Sequence, residues 1–215
     1  MPSPEYAALR AARLADLRTE IAAALPASDA SFVLEIGCGH GHFLSAYAAA
    51  HPARLCIGLD LRLERILKAR RKRDRAGLVN LHFIRGEARD FLRELPPGAR
   101  LLDIYLLFPD PWPKKRHHKH RLLKAEFLDE LAARAGEGSR FFFRTDHQPY
   151  FEEAAAVVSG HASWRVLPPG PFAYESESIF QSRAPAYHSL AAVWVSPPTD
   201  RQCGTNSGHL PPHPR

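Results

Sequence analysis

Asp110 and Trp112 stand on a turn that prolines at 109, 111 and 113 make stiff, and a run of cations follows them at once. Proline fixes its own φ and donates no amide, so this stretch can neither join a strand ladder nor continue a helix. Lys114, Lys115, Arg116, Lys119, Arg121 and Lys124 come next, with His117, His118 and His120 among them. A carboxylate and an aromatic plane beside clustered cations suit a purine base and its phosphates. A solvated loop leading into a charged helix has the same composition, so the rest of the chain must decide between the two.

A second constellation lies upstream. The apolar run Phe32 to Ile36 has strand character and enters Gly37-Cys38-Gly39-His40-Gly41, after which Phe43 to Ala50 reads as a helix. Strand, glycine turn and helix open a nucleotide-binding βαβ unit, in which Gly37, Gly39 and Gly41 permit positive φ and let a ligand approach the backbone. A dinucleotide fingerprint needs glycine at 42, where His42 stands, and no G-x-x-x-x-G-K-[ST] phosphate loop occurs. The pattern present is E-x-G-x-G-x-G, led by Glu35. The next strand, Leu55 to Leu59, ends in Asp60, placed to accept both hydroxyls of a ribose. Glu35 suits the ammonium of an amino-acid moiety, and Glu87, after the strand Leu81 to Ile84, falls where an adenine edge would lie. Amino acid, ribose and adenine in a row describe S-adenosylmethionine. Single acids at strand ends also cap helices; three at successive strand ends favour the ligand.

These motifs together resemble the bacterial tRNA (guanine-N7-)-methyltransferase family: E-I-G-C-G-H-G, G-L-D, R-G-E-A, F-P-D-P-W-P-K-K-R-H-H-K and R-T-D-H-Q-P-Y appear in the family's order from about Phe32 to Tyr150. The resemblance implies methyl transfer to N7 of a guanine in tRNA, at nucleotide 46 in the variable loop. It implies that Glu35, Asp60, Glu87 and Asp110 contact or border the cofactor, that Asp110 is catalytic, and that Lys114 and Asp146 contact the RNA. A threonine-x-phenylalanine-glutamate element of the family has its counterpart in Ser178-Ile179-Phe180-Gln181. Ser178 keeps a hydroxyl on the substrate side, whereas Gln181 replaces a carboxylate by a neutral amide. A methyltransferase acting on a small molecule or another RNA, or a non-catalytic RNA-binding relative, stays open from the residues alone.

Bulk properties agree with an anionic partner. The chain has 215 residues and a net charge of +6, with an isoelectric point near 9.5, a balance that favours nucleic acid. A second basic cluster, Arg62, Arg65, Lys68, Arg70, Arg71, Lys72, Arg73 and Arg75, suits either RNA backbone or a solvated helix face. Cys38, Cys56 and Cys203 show neither disulfide nor zinc spacing, so no metal is expected and the cytoplasm is the default compartment. No apolar run reaches membrane-spanning length. Monomer and homodimer are equally compatible with the sequence.

Periodicity then positions these residues. Helices are predicted at 4–25, 42–50, 62–76, 88–94, 121–135 and 149–159, and strands at 32–36, 55–59, 81–84, 101–108, 140–145, 163–167 and 191–195. Leu9, Leu14, Leu17 and Ile21 are expected to face the core from the first helix. Alternating strands and helices give an α/β, doubly wound, mainly parallel sheet covered on both faces. The resemblance adds a Rossmann-like methyltransferase sheet of seven strands, the last antiparallel. Residues 1–196 read as one domain and 197–215, rich in breakers, as a disordered tail.

Overall fold

The structure, a computed structural model, describes residues 3–25, 29–175 and 186–196. Strands β1 (Ser31–Ile36), β2 (Leu55–Asp60), β3 (Leu81–Arg85), β4 (Arg100–Leu107), β5 (Arg140–Thr145), β6 (Trp164–Val166) and β7 (His188–Trp194) form one sheet in the order β3-β2-β1-β4-β5-β7-β6. The first five run parallel, β7 pairs antiparallel with β5, and β6 antiparallel with β7. The predicted α/β sheet is thus present, mixed at one edge. Its outer strands are shifted from expectation: β7 begins three residues earlier, at His188, and β6 is confined to Trp164–Val166.

Strand alternation separates two cores. Phe32, Leu34 and Ile36 face the layer built by α1 (Pro4–Ala24), α4 (Ala88–Glu94), α5 (Ala125–Ala132) and α6 (Gln148–Ser159). Val33 faces α2 (His42–Ala50) and α3 (Leu63–Arg75). Such two-sided burial explains why the central strands read as continuous apolar runs. Two helices cannot cover the second face across its full width. The irregular segment after β6 completes it, with Phe172 5.0 Å from Phe142 and Tyr174 5.0 Å from Tyr47 between ring centroids.

Two expectations need correction. Leu17 and Ile21 are buried and Leu14 packs against them, but Leu9 is 51% exposed, because the first turns of α1 overhang a cleft instead of the core. The helix expected over 121–135 is divided: Lys115–His120 is a 3-10 helix, the chain is extended at Arg121 and Lys124, and α5 follows. The reason is lateral packing. Arg121 and Leu123 turn inward, and the Leu123 amide donates to the Tyr150 hydroxyl (3.3 Å) instead of continuing a helix. Among the described residues no helix is long and apolar enough to cross a membrane.

Candidate active site at the C-terminal strand ends

Parallel strands bring their carboxyl ends to one edge, and strand order reverses between β1 and β4, the position at which open α/β sheets form a ligand crevice. Glu35, Asp60 and Glu87 lie on the β1, β2 and β3 side of this switch point; Asp110 and Asp146 follow β4 and β5. The topology therefore collects the candidate carboxylates along one edge.

On the β1 side the glycine loop is built for close approach. Gly37, Gly39 and Gly41 have φ of +77°, +55° and +69°. A Cβ at Gly41 would collide with the Phe83 ring, whereas the Cβ positions of Gly37 and Gly39 meet nothing within 4 Å. The loop amides are already engaged: Gly37 and Cys38 donate to the Leu59 carbonyl at 2.8 Å, Gly39 to Asp60, and Gly41 to the Cys38 carbonyl. A phosphate cradle needs several amides aimed outward; here those four bind the protein itself.

Asp60 joins the loop to the next helix. Its Oδ2 accepts from Gly39 N (3.1 Å) and Arg65 (3.4 Å), and its Oδ1 from Arg62 N (2.8 Å). A carboxylate has about four acceptor positions, so capacity remains for a ligand hydroxyl. Glu35 is different. It is 4% exposed, and its Oε2 has no hydrogen-bond partner among the described residues. Burial pushes its pKa up to about 8; the Leu44 amide and Lys72 oppose this shift, and the nearby Asp60 charge adds to it. Burial likewise raises the Cys38 thiol well above its ordinary range.

Glu87 caps α4, its Oε2 accepting from Asp90 N at 3.0 Å. It also lines, with Gly86, Leu61 and Leu63, a cleft of about 680 Å³ roofed by Tyr6 and Leu9 of α1. The cap and the ligand-side readings of this residue are therefore compatible.

Across the switch point the proline turn carries strain. Phe108 and Trp112 have φ of +49° and +43°, the only non-glycine positive values among the described residues. Such outliers persist where surrounding structure over-determines them. Phe108 N donates to the Arg144 carbonyl (2.7 Å), and Asp110 Oδ1 accepts from Trp112 N (3.0 Å). Asp110 is exposed, and the Trp112 ring sits 5.0 Å from His120 and 5.8 Å from His117. Lys114, Lys115, Arg116 and Lys119 are exposed around it. Asp146, exposed at the end of β5, precedes His147, which caps α6 by accepting from Tyr150 N. Ser178 and Gln181 lie outside the described residues.

The second basic cluster is divided by the fold. Arg65, Arg70 and Lys72 bond within the protein, to Asp60, to Glu20 and the Phe83 carbonyl, and to the His40 carbonyl. Arg62, Lys68, Arg71 and Arg75 stay exposed. Sequence reasoning misses one ion pair beside the site: Arg144, 4% exposed, binds Glu175 through both amino groups (2.8 and 3.0 Å) and Ser189 through Nε. An arginine directly after three phenylalanines in R-F-F-F-R-T signals a buried charge; its partner 31 residues on gives no local sign. Among the described residues no group of three or more His, Cys, Asp and Glu is placed to hold a metal ion.

Comparison with known proteins agrees with this geometry. Residues 29–176 match a family model described as putative methyltransferase. The chain is 38% identical over 135 residues to a tRNA (guanine-N(7)-)-methyltransferase of Nitrosococcus oceani, covering 63% of this chain and 57% of that protein. It is 34% identical over 151 residues to the Geobacter metallireducens protein of the same name, covering 70% and 72%. The match thus spans little more than half of the first relative. Among solved structures, a 16S rRNA (adenine(1408)-N(1))-methyltransferase from Catenulisporales acidiphilia superposes with a TM-score of 0.56 at 19% identity, covering 85% of this chain and 93% of that one. That likeness speaks to the fold alone. Motif order, strand-end chemistry and the identity to relatives converge: this chain belongs to the tRNA (guanine-N(7)-)-methyltransferase family.

Proposed function

We propose that this protein transfers a methyl group from S-adenosylmethionine to N7 of a guanine in tRNA, at nucleotide 46 of the variable loop. The observation that carries the reading is the pairing across one switch point of a buried carboxylate oxygen without a partner, on Glu35, with the Asp110–Trp112 turn and its exposed cations. The cofactor fits the β1 side. Glu35 would hold its ammonium, Asp60 its ribose, and the cleft at Glu87 its adenine, while the open space over Gly37 and Gly39 admits its backbone-facing atoms. Internally bonded loop amides agree with a ligand that has no pyrophosphate. Two buried free thiols, Cys38 and Cys56, suit a reducing compartment, the cytoplasm.

When bound, the cofactor supplies an electrophilic methyl on a cationic sulfur. N7 of guanine has an in-plane lone pair and attacks without first losing a proton, so the protein needs alignment and exclusion of water more than a strong base. Asp110, or Asp146 from the neighbouring strand end, accepts hydrogen bonds from guanine N1–H and N2–H₂; this fixes the ring and favours the cationic product. Adenine lacks that donor pair, so the contact selects guanine. Trp112 offers a stacking face to a base drawn out of the folded RNA.

The test is transfer of labelled methyl to unmodified tRNA. Wild type should incorporate label, Asp110→Asn should lower turnover by roughly 10²-fold with cofactor affinity largely kept, and Asp146→Ala should act mainly on use of tRNA. Incorporation unchanged in both variants would remove these residues from the site.

The exposed cations give a separate expectation. tRNA affinity should fall steeply with salt, and replacing Lys115 and Lys119 by alanine should flatten the log–log slope by about one to two. Cofactor affinity should stay constant. A slope identical to wild type would make this segment a merely solvated surface.

A further inference from the structure

Arg121 is the one member of the basic segment 114–121 whose side chain is buried, at 1% exposure. Its Nε donates to the Pro111 carbonyl at 2.9 Å, inside the turn that carries Asp110 and Trp112. Its Nη1 pairs with Glu153 of α6, and the guanidinium lies 4.8 Å from the ring centroid of Tyr150, in the first turn of the same helix. The Tyr150 hydroxyl in turn accepts from Leu123 N, and Glu153 also faces His118 of the 3-10 helix at 3.9 Å. One side chain thereby ties together the proline turn, the basic 3-10 helix and the start of α6, which follows Asp146 by two residues.

We infer that Arg121 is a positioning residue: a latch that sets Asp110 and Trp112 in register with Asp146, so that the two strand-end loops grip one guanine. Three features carry this. The turn it holds contains a strained residue, Trp112, whose conformation local sequence does not favour. The Pro111 carbonyl gives the turn a fixed anchor that a short side chain at 121 could not reach. A buried guanidinium with one amino group unpartnered among the described residues is a cost to stability; its contacts concentrate on the loops of the site. Lysine would keep the charge but lose the planar fork that reaches Pro111 and Glu153 together.

The inference rests on the proposed reaction, and one readout is chosen to be independent of it. The chain has three tryptophans, Trp112, Trp164 and Trp194. In protein labelled with 5-fluorotryptophan, Arg121→Lys and Glu153→Gln should shift or broaden the Trp112 fluorine resonance alone. Trp164, buried in β6 and bonded to the Leu128 carbonyl of α5, and Trp194 of β7 serve as internal controls. Turnover on tRNA should fall between roughly tenfold and a hundredfold with cofactor affinity within about threefold of wild type. The double variant should be little worse than either single one, because both break the same latch. Glu153, more than a third exposed, keeps the test alive if the arginine variant folds poorly. A Trp112 resonance unmoved in Glu153→Gln, or three resonances moving together, would overturn the inference by reducing the contact to ordinary packing. If wild type fails to methylate tRNA, the proposed reaction falls, and the fluorine spectra still decide whether the latch exists.

Discussion

Glu35→Gln should stabilise the ligand-free protein above neutral pH and weaken its hold on S-adenosylmethionine. Glu35 is buried, its pKa is raised to about 8, and one of its oxygens is without a partner among the described residues. An unfolded glutamate ionises near 4.3. Between that value and about 8 the folded state keeps a proton that the unfolded state has lost, so stability falls as pH rises through this window. Glutamine removes the dependence, and the gain at pH 8 should be on the order of a few kcal/mol. The ligand reverses the preference. An ammonium facing Glu35 favours the carboxylate over the acid, so cofactor affinity should rise from pH 6 to 8, and binding near pH 6.5 should release up to one proton. The groups around Glu35 set the size of the effect: Asp60 resists ionisation, while Lys72 and the Leu44 amide assist it. Titration calorimetry in buffers of different ionisation heat measures the released proton. Binding without proton release, at wild-type affinity in Glu35→Gln, would separate this carboxylate from the cofactor.

Asp103→Ala should unfold the protein more readily and leave the chemistry of the folded fraction intact. Asp103, 1% exposed, lies in the first half of β4, away from its carboxyl end. It accepts two bonds from Arg140 at 2.8 and 2.9 Å, one from Arg54 at 2.9 Å and one from the Tyr47 hydroxyl at 3.2 Å. Removing one partner from a buried ion pair typically costs 3–5 kcal/mol. Arg54 and Arg140 are partly exposed and can turn to water, so a loss of about 3 kcal/mol is expected, a fall in Tm of roughly 6–12 °C for a chain of this size. Asp103→Asn should lose less, since it keeps shape and acceptor. A Tm within about 2 °C of wild type in Asp103→Ala would show that the cluster contributes only surface electrostatics.

The difference between these two carboxylates shows what local sequence carries. Glu35 is legible because it stands two residues before a glycine turn, and the turn, the strand before it and the helix after it are all set within some twenty residues. Asp103 has the same chemistry and no such frame. Its partners lie 37, 49 and 56 residues away, and only the sheet brings them together. Arg121 and Arg144 teach the same lesson from the cationic side. In a basic run such as 114–121 every cation reads as surface, yet the fold turns one inward; at Arg144 the strand pattern betrays burial but not Glu175. The divided helix at 121–124 follows from that packing, since helical periodicity cannot report a side chain that prefers a carbonyl on another loop. Leu9 errs the other way: at 3.6 residues per turn it sits roughly 110° around α1 from the face of Leu14, Leu17 and Ile21, and it lines the cleft instead of the core.

The reaction itself is tested most directly by methyl transfer to unmodified tRNA followed by strand cleavage specific for 7-methylguanosine. Label on tRNA and a single scission at a guanine of the variable loop are expected, both lost in Asp110→Asn. Label on another base, or only on ribosomal RNA or a small molecule, would contradict the proposed reaction.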